Sequence, residues 1–153
     1  MVCSFFKAHG LGNDYIFFDC VLENTPLTFT AEQIARLCDR HTGIGADGIV
    51  LITAATQARA DIRMRIFNAD GSEAEMCGNA ARCVGLYAVK HELVAANSLR
   101  LQTRAGIKQI TVQDERHIVV DMGEAVLTGI LQYEEHTFHT VDMGNPHAVV
   151  FLP

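Results

Sequence analysis

At 153 residues the chain can form one good hydrophobic core or two small, incomplete lobes. Hydrophobic residues make up 49% and charged residues 20%, a globular balance that excludes a disordered or fibrous chain. A formal charge of -6, no Lys/Arg run interleaved with aromatics, no secretory start and no bilayer-length apolar run exclude nucleic acid and membrane as partners and point to the cytoplasm.

Phe5 to Ala8 reads as a short strand and Tyr15 to Cys20 as the next. His9 to Asp14 between them is a loop whose two glycines hold the backbone open; a G-x-G of this kind by itself reads as a turn, and Asn13 and Asp14 are also placed to donate or accept at a ligand. Thr30 with Gln33 forms a capping box, predicting a helix through Arg40 with Ile34, Leu37 and Cys38 inward. The glycine-rich stretch His41 to Gly48 leads into the strand Ile49 to Thr53. It lacks the Lys-Ser/Thr ending of a phosphate loop, and helix-loop-strand reverses the order of a dinucleotide fingerprint.

Ile62, Met64 and Ile66 alternate with Arg63 and Arg65, a half-buried strand stopped by Asn68, Asp70 and Gly71. From Ala80 to Val89 there is no polar face, as in a helix surrounded on all sides; it is expected near 77–93. Ser98 to Thr103, Ile107 to Val112 and Ile118 to Met122 read as an antiparallel meander. A linker through Gly129, a strand Thr137 to Asp142, the turn Met143 to His147 and an apolar strand Ala148 to Leu152 follow, the last stopping at Pro153 like an interruption. The expected class is α+β, a curled, mostly antiparallel sheet around a central apolar helix.

Five cysteines without a C-x-x-C pair suggest neither a disulfide framework nor a zinc site. Cys77 differs from the rest because it sits at the mouth of the apolar helix. There, unpaired N–H groups stabilise a thiolate or a bound carboxylate, Gly78 permits close approach and Asn79 adds an amide. His91, His117, His136 and His139 lie in polar segments and are assigned no role.

Five segments, H-G-L-G-N-D-Y (9–15), G-I-G-A-D-G (43–48), R-I-F-N-A-D-G-S-E-A-E-M-C-G-N (65–79), T-R-A-G (103–106) and M-G-N-P-H (143–147), together resemble diaminopimelate epimerase. The match to proline racemases and phenazine-pathway isomerases is poorer, because they lack the segment at 9–15. The resemblance implies an epimerase that uses no cofactor and no metal, with two pseudo-symmetric lobes and a cysteine at the helix mouth of each. It implies Cys77 as one catalytic thiol, substrate contacts at Asn13, Asn68, Gly78, Asn79 and Asn145, and His147 tuning the thiols. Gly48 stands where part of the family has a substrate-touching glutamine, and Ala80 replaces a common glycine.

On this reading residues 1–122 are the first lobe and 123–153 a linker and the beginning of a truncated second lobe, since the family's chains continue to a second cysteine. The substrate is diaminopimelate, LL- and meso-forms being interconverted for lysine and peptidoglycan precursors, and the chain alone is inactive. Apolar residues beyond Met122 and unpaired strand edges point to a homodimer. Competing readings are a non-catalytic remnant that binds amino acids or a partner, and a hydrolase with Cys77 as nucleophile and His147 as base.

Overall fold

The apolar runs at 15–18 and 49–52 become neighbouring strands, and their near-continuous burial follows from covering on both faces. The computed structural model describes residues 3–152; Pro153, where the last strand was expected to stop, lies outside them. The chain divides into two compact units, one running to Asp121 and the other starting at Met122.

In the first unit β1 (Phe6–Gly10) and β2 (Asn13–Asp19) form a hairpin, and α1 (Ala31–Cys38) carries the chain to β3 (Gly48–Ala54), parallel to β2. Next come β4 (Ile62–Asn68), the short β5 (Glu73–Ala74), α2 (Gly78–Lys90), β6 (Ser98–Thr103), β7 (Gly106–Val112) and β8 (Ile118–Val120). The sheet order is β1-β2-β3-β4-β6-β7-β8, with β5 on β4. The pairs β2/β3 and β4/β6 are parallel and the others antiparallel, so the sheet is mixed.

Strand alternation sends Ile16 and Phe18 into the cluster with Ile34 and Cys38 of α1. Phe17 on the opposite face stacks on Phe6, which stacks on Tyr87 of α2. Helix α2 touches β1 as well as β7 and β8. In a flat sheet the first and last of seven strands would lie about 29 Å apart, beyond the reach of one helix about 10 Å wide, so the sheet curls. Gly85 allows the close approach, since a β-carbon there would stand 2.6 Å from Ile110 Cγ2.

Several local expectations are corrected. The loop at 9–14 is the turn its two glycines suggested, but tightened to two residues, with Gly10 paired to Asn13 and both Leu11 (φ 56°) and Gly12 (φ 87°) left-handed. Helix α1 stops at Cys38 instead of Arg40, because Asp39 turns extended and its carboxylate accepts from the His41 and Thr42 amides. Helix α2 ends at Lys90 instead of Leu93, where Glu92 goes left-handed (φ 55°) and Leu93 N–H returns to Ala88 O. It is not enclosed on every side: Ala80, Ala81, Val84, Gly85 and Ala88 are buried, whereas Arg82, Cys83, Leu86 and Val89 are half-buried.

The second unit is a three-stranded sheet ordered β11-β10-β9: β9 (Val126–Tyr133), β10 (His136–Asp142) and β11 (Pro146–Val149). The segment expected to be a linker through Gly129 is largely β9, because pairing with β10 overrides a strand glycine. The last strand starts at Pro146 instead of Ala148, since a proline can begin a strand without a donor. Among the described residues no helix is long and apolar enough to cross a membrane.

Candidate active site

Cys77 is the N-cap of α2, with extended backbone (φ -143°, ψ 117°) and no side-chain cap bond. The first helical hydrogen bond runs from Ala81 N–H to Cys77 O, so the amides of Gly78, Asn79 and Ala80 precede the intrahelical ladder. The half-buried sulfur therefore lies beside the positive end of a 13-residue helix. All five cysteines are free. Burial pushes the Cys20, Cys38 and Cys83 thiols up, keeping them protonated and poorly reactive.

Two side chains from the β1–β2 hairpin reach this helix end. Asn13 Oδ1 accepts from Cys77 Sγ at 3.4 Å and from Asn79 Nδ2 at 3.3 Å. The amide cannot face the other way without loss, because Asn13 Nδ2 donates to Asp47 Oδ2 at 2.8 Å, and a carboxylate only accepts. Asn79 is oriented in the same manner: Arg82 donates to its Oδ1, leaving Nδ2 for Asn13. Tyr15, two residues along β2 and on the same face as Asn13, brings its hydroxyl to 3.6 Å from Cys77 Sγ.

Behind Asn13 lies an ion cluster. Asp14 points away from Cys77 and pairs with Arg40 at 2.6 Å and Lys7 at 3.0 Å, while Arg40 also holds Asp47 at 2.8 Å. Asp14 thus braces the framework behind Asn13. Arg40 foremost, with Lys7, holds its carboxyl at about 2, below the ordinary 3.8; the Asn13 amide above all holds Asp47 low. A depressed folded value stabilises above the unfolded value and is lost as the folded carboxyl protonates. The urea midpoint of the first unit should therefore fall from about pH 4 toward about pH 2, and Asp14→Asn should flatten that fall. An unchanged slope in Asp14→Asn would show that other carboxylates govern it.

The structure brings Asn13, Cys77, Gly78 and Asn79 to one place. Asn68 ends β4 and donates its side-chain amide to Ser72 Oγ at 3.0 Å, within its own turn. Asn145 and His147 belong to the second unit, where His147 Nδ1 lies 2.9 Å from Asn145 O. Sequence reasoning passed over Tyr15 and Asp47. The two-residue period from Asn13 pointed to Tyr15, whereas no local pattern pointed to Asp47.

A family model described as diaminopimelate epimerase matches residues 5–128. The chain belongs to the diaminopimelate epimerase family. It is 44% identical over 169 residues to the diaminopimelate epimerase of Acetivibrio thermocellus, covering 97% of this chain and 59% of the relative. Identity to that of Pelotomaculum thermopropionicum is 43% over 173 residues, covering 97% and 60%. The chain thus spans about three-fifths of the length of these relatives. The fold also resembles a hydroxyproline epimerase from Agrobacterium vitis (TM-score 0.68, 18% identity, 95% of this chain and 50% of that one). A probable proline racemase from Agrobacterium radiobacter is similar to the same degree (TM-score 0.67, 16% identity, 97% and 52%).

Proposed function

We propose that the protein works as a cofactor-independent epimerase interconverting LL- and meso-diaminopimelate, for lysine and peptidoglycan precursors, and that Cys77 is one of its two proton-transferring groups. The observation that carries this reading is Cys77 Sγ at the N-terminus of α2 between Asn13 and Asn79, whose amides are oriented by charged partners. One thiolate takes the α-hydrogen as a proton, leaving the bonding pair on carbon, and a thiol on the opposite face delivers its proton to that pair. The stereocentre inverts and the two sulfurs exchange protonation states. A single group would tend to return the hydrogen to the face it came from. The free amides of α2 suit the carboxylate on which charge builds in the carbanion.

Within this reading the first unit is a lobe with α2 as its central helix, and the second unit begins another. Cys38 is buried in α1, Cys83 lies along α2, and Cys3 and Cys20 pack against the core. The opposing thiol is then supplied by residues other than these 153, and these alone turn over little substrate. Asn68 and Asn145 are proposed as substrate contacts with Asn13, Gly78 and Asn79, and His147 as a group tuning the thiols, on the family motifs alone.

The test is mass-spectrometric: uptake of solvent deuterium at the α-carbon of diaminopimelate, by the chain alone and by a form carrying the family's full length. Exchange by the long form that vanishes with Cys77 altered supports the proposal. Binding of diaminopimelate without exchange in either form would make the protein an amino-acid-binding module instead.

A homodimer is part of the proposal. Strand β9 is an end strand of its sheet, and Leu127 (73%), Ile130 (67%) and Tyr133 (64%) are exposed along it. A second copy can pair with that edge about a twofold axis and bring Leu127 and Ile130, which share a face, against their counterparts. Sedimentation equilibrium should give a mass that rises with concentration toward the dimer, and Ile130→Lys should restore the monomer. A constant monomer mass in the parent chain rejects the dimer.

A further inference from the structure

The Cys77 sulfur has two polar neighbours that suit opposite protonation states. Asn13 Oδ1 at 3.4 Å accepts hydrogen from the thiol but offers nothing to a thiolate. The Tyr15 hydroxyl at 3.6 Å donates, and a thiolate is its better acceptor. Asn13 cannot turn its Nδ2 toward the sulfur while Asp47 holds it. Of the two side chains bonded to the sulfur, Tyr15 is then the one that can donate a hydrogen bond to the thiolate.

The fold holds the Tyr15 ring in place beside the sulfur. Tyr15 is 6% exposed, its strand is paired on both sides with Ala8 and Gly48 opposite, and its ring meets Phe17 edge-on at 6.4 Å. Position 48 carries no side chain, and a β-carbon there would stand 2.9 Å from the Tyr15 ring. The ring is therefore confined between strand and helix. Burial first, then the neighbouring sulfur, push the phenol above its usual range, so it stays protonated and a donor.

We propose that Tyr15 is a positioning residue for acid-base work at Cys77: its hydroxyl donates to the thiolate, while Asn13 Oδ1, locked by Asp47, receives the hydrogen of the thiol. Cys77 thus keeps one partner in each state, so neither the gain nor the loss of its proton leaves the sulfur without a hydrogen bond. This deepens the epimerase reading and rests on it. The other ionisable groups around the sulfur are Glu75 and Arg82 nearby in sequence, Cys83 further along α2, and Asp47 behind Asn13.

The experiment follows alkylation of Cys77 by iodoacetamide across neutral and alkaline pH in the 153-residue chain, each cysteine resolved by peptide mass spectrometry. Tyr15→Phe keeps the ring and leaves those other groups in place. It should move the midpoint of the Cys77 curve upward by about one pH unit, about tenfold slower alkylation below the midpoint, with the Cys20 and Cys83 curves unmoved. Tyr15 replaced by 3-fluorotyrosine, a stronger donor of nearly the same size, should move the midpoint down. If Tyr15→Phe does not fold, the fluorinated protein decides alone.

An unmoved Cys77 midpoint, or the same direction of shift in both variants, would show that Tyr15 only fills space. Alkylation requires no substrate, so its outcome stands apart from the deuterium assay. Exchange with an unmoved alkylation curve sinks the role of Tyr15 alone, and absent exchange sinks the epimerase reading.

Discussion

On the proposed function, Cys77→Ser in a form carrying the family's full length should lower interconversion of LL- and meso-diaminopimelate by about 10³-fold with little change in melting temperature. Serine keeps the N-cap and the approximate size, so α2 and its contacts with Asn13 persist. What it lacks is a group that exchanges a proton near neutral pH, because a hydroxyl is a far weaker acid than a thiol. Cys83→Ala is the contrasting case. That side chain is half-buried, about 1.7 turns further along α2, and its loss should act through packing and leave kcat within about twofold. Labelling with an electrophile shaped like an α-amino acid checks the assignment independently. Modification of Cys38 or Cys83 with Cys77 spared would reverse it.

Gly43→Ala should destabilise the first unit by about 3 kcal/mol, lowering its melting temperature by about 10 °C. The stretch 43–46 folds back over the end of α1: the Ile44 and Gly45 amides donate to Leu37 O, and the Ala46 amide to Cys38 O. These bonds satisfy helix carbonyls that would otherwise lack partners. A β-carbon at position 43 would stand 2.0 Å from Arg36 O and 2.8 Å from Leu37 O, and both are backbone atoms that cannot swing aside. Any shift of this loop also moves Asp47, and with it the amide of Asn13. Thermal melts followed by near-ultraviolet circular dichroism would measure the loss. A melting temperature within about 2 °C of the parent would mean that the loop can lift off α1 at little cost.

Much of the fold is written in local patterns. Alternation at 62–66 and the apolar runs at 15–18 and 49–52 identify β4, β2 and β3, because burial of one face or both leaves a direct mark on residue order. The capping box at Thr30 and Gln33 is likewise a short-range bargain between neighbours, and both of its hydrogen bonds form. Cys77 stands out in the sequence by itself, since a cysteine next to Gly-Asn at the start of an apolar helix is a local signal.

Contacts between distant segments decided the rest. The end of α1 depends on a loop returning over it, and β9 exists because β10 pairs with it across Gly129, two outcomes that propensity opposes. Asn13 could be named from its motif, but which end of its amide meets Cys77 was set by Asp47, 34 residues away. Tyr15 read as an ordinary strand aromatic until the curl of the sheet set its hydroxyl beside a sulfur 62 residues on. Periodicity reports which face of a strand is buried. The polar atom waiting on that face is a property of the packed chain, because hydrogen bonds are directional and their partners here arrive from other elements.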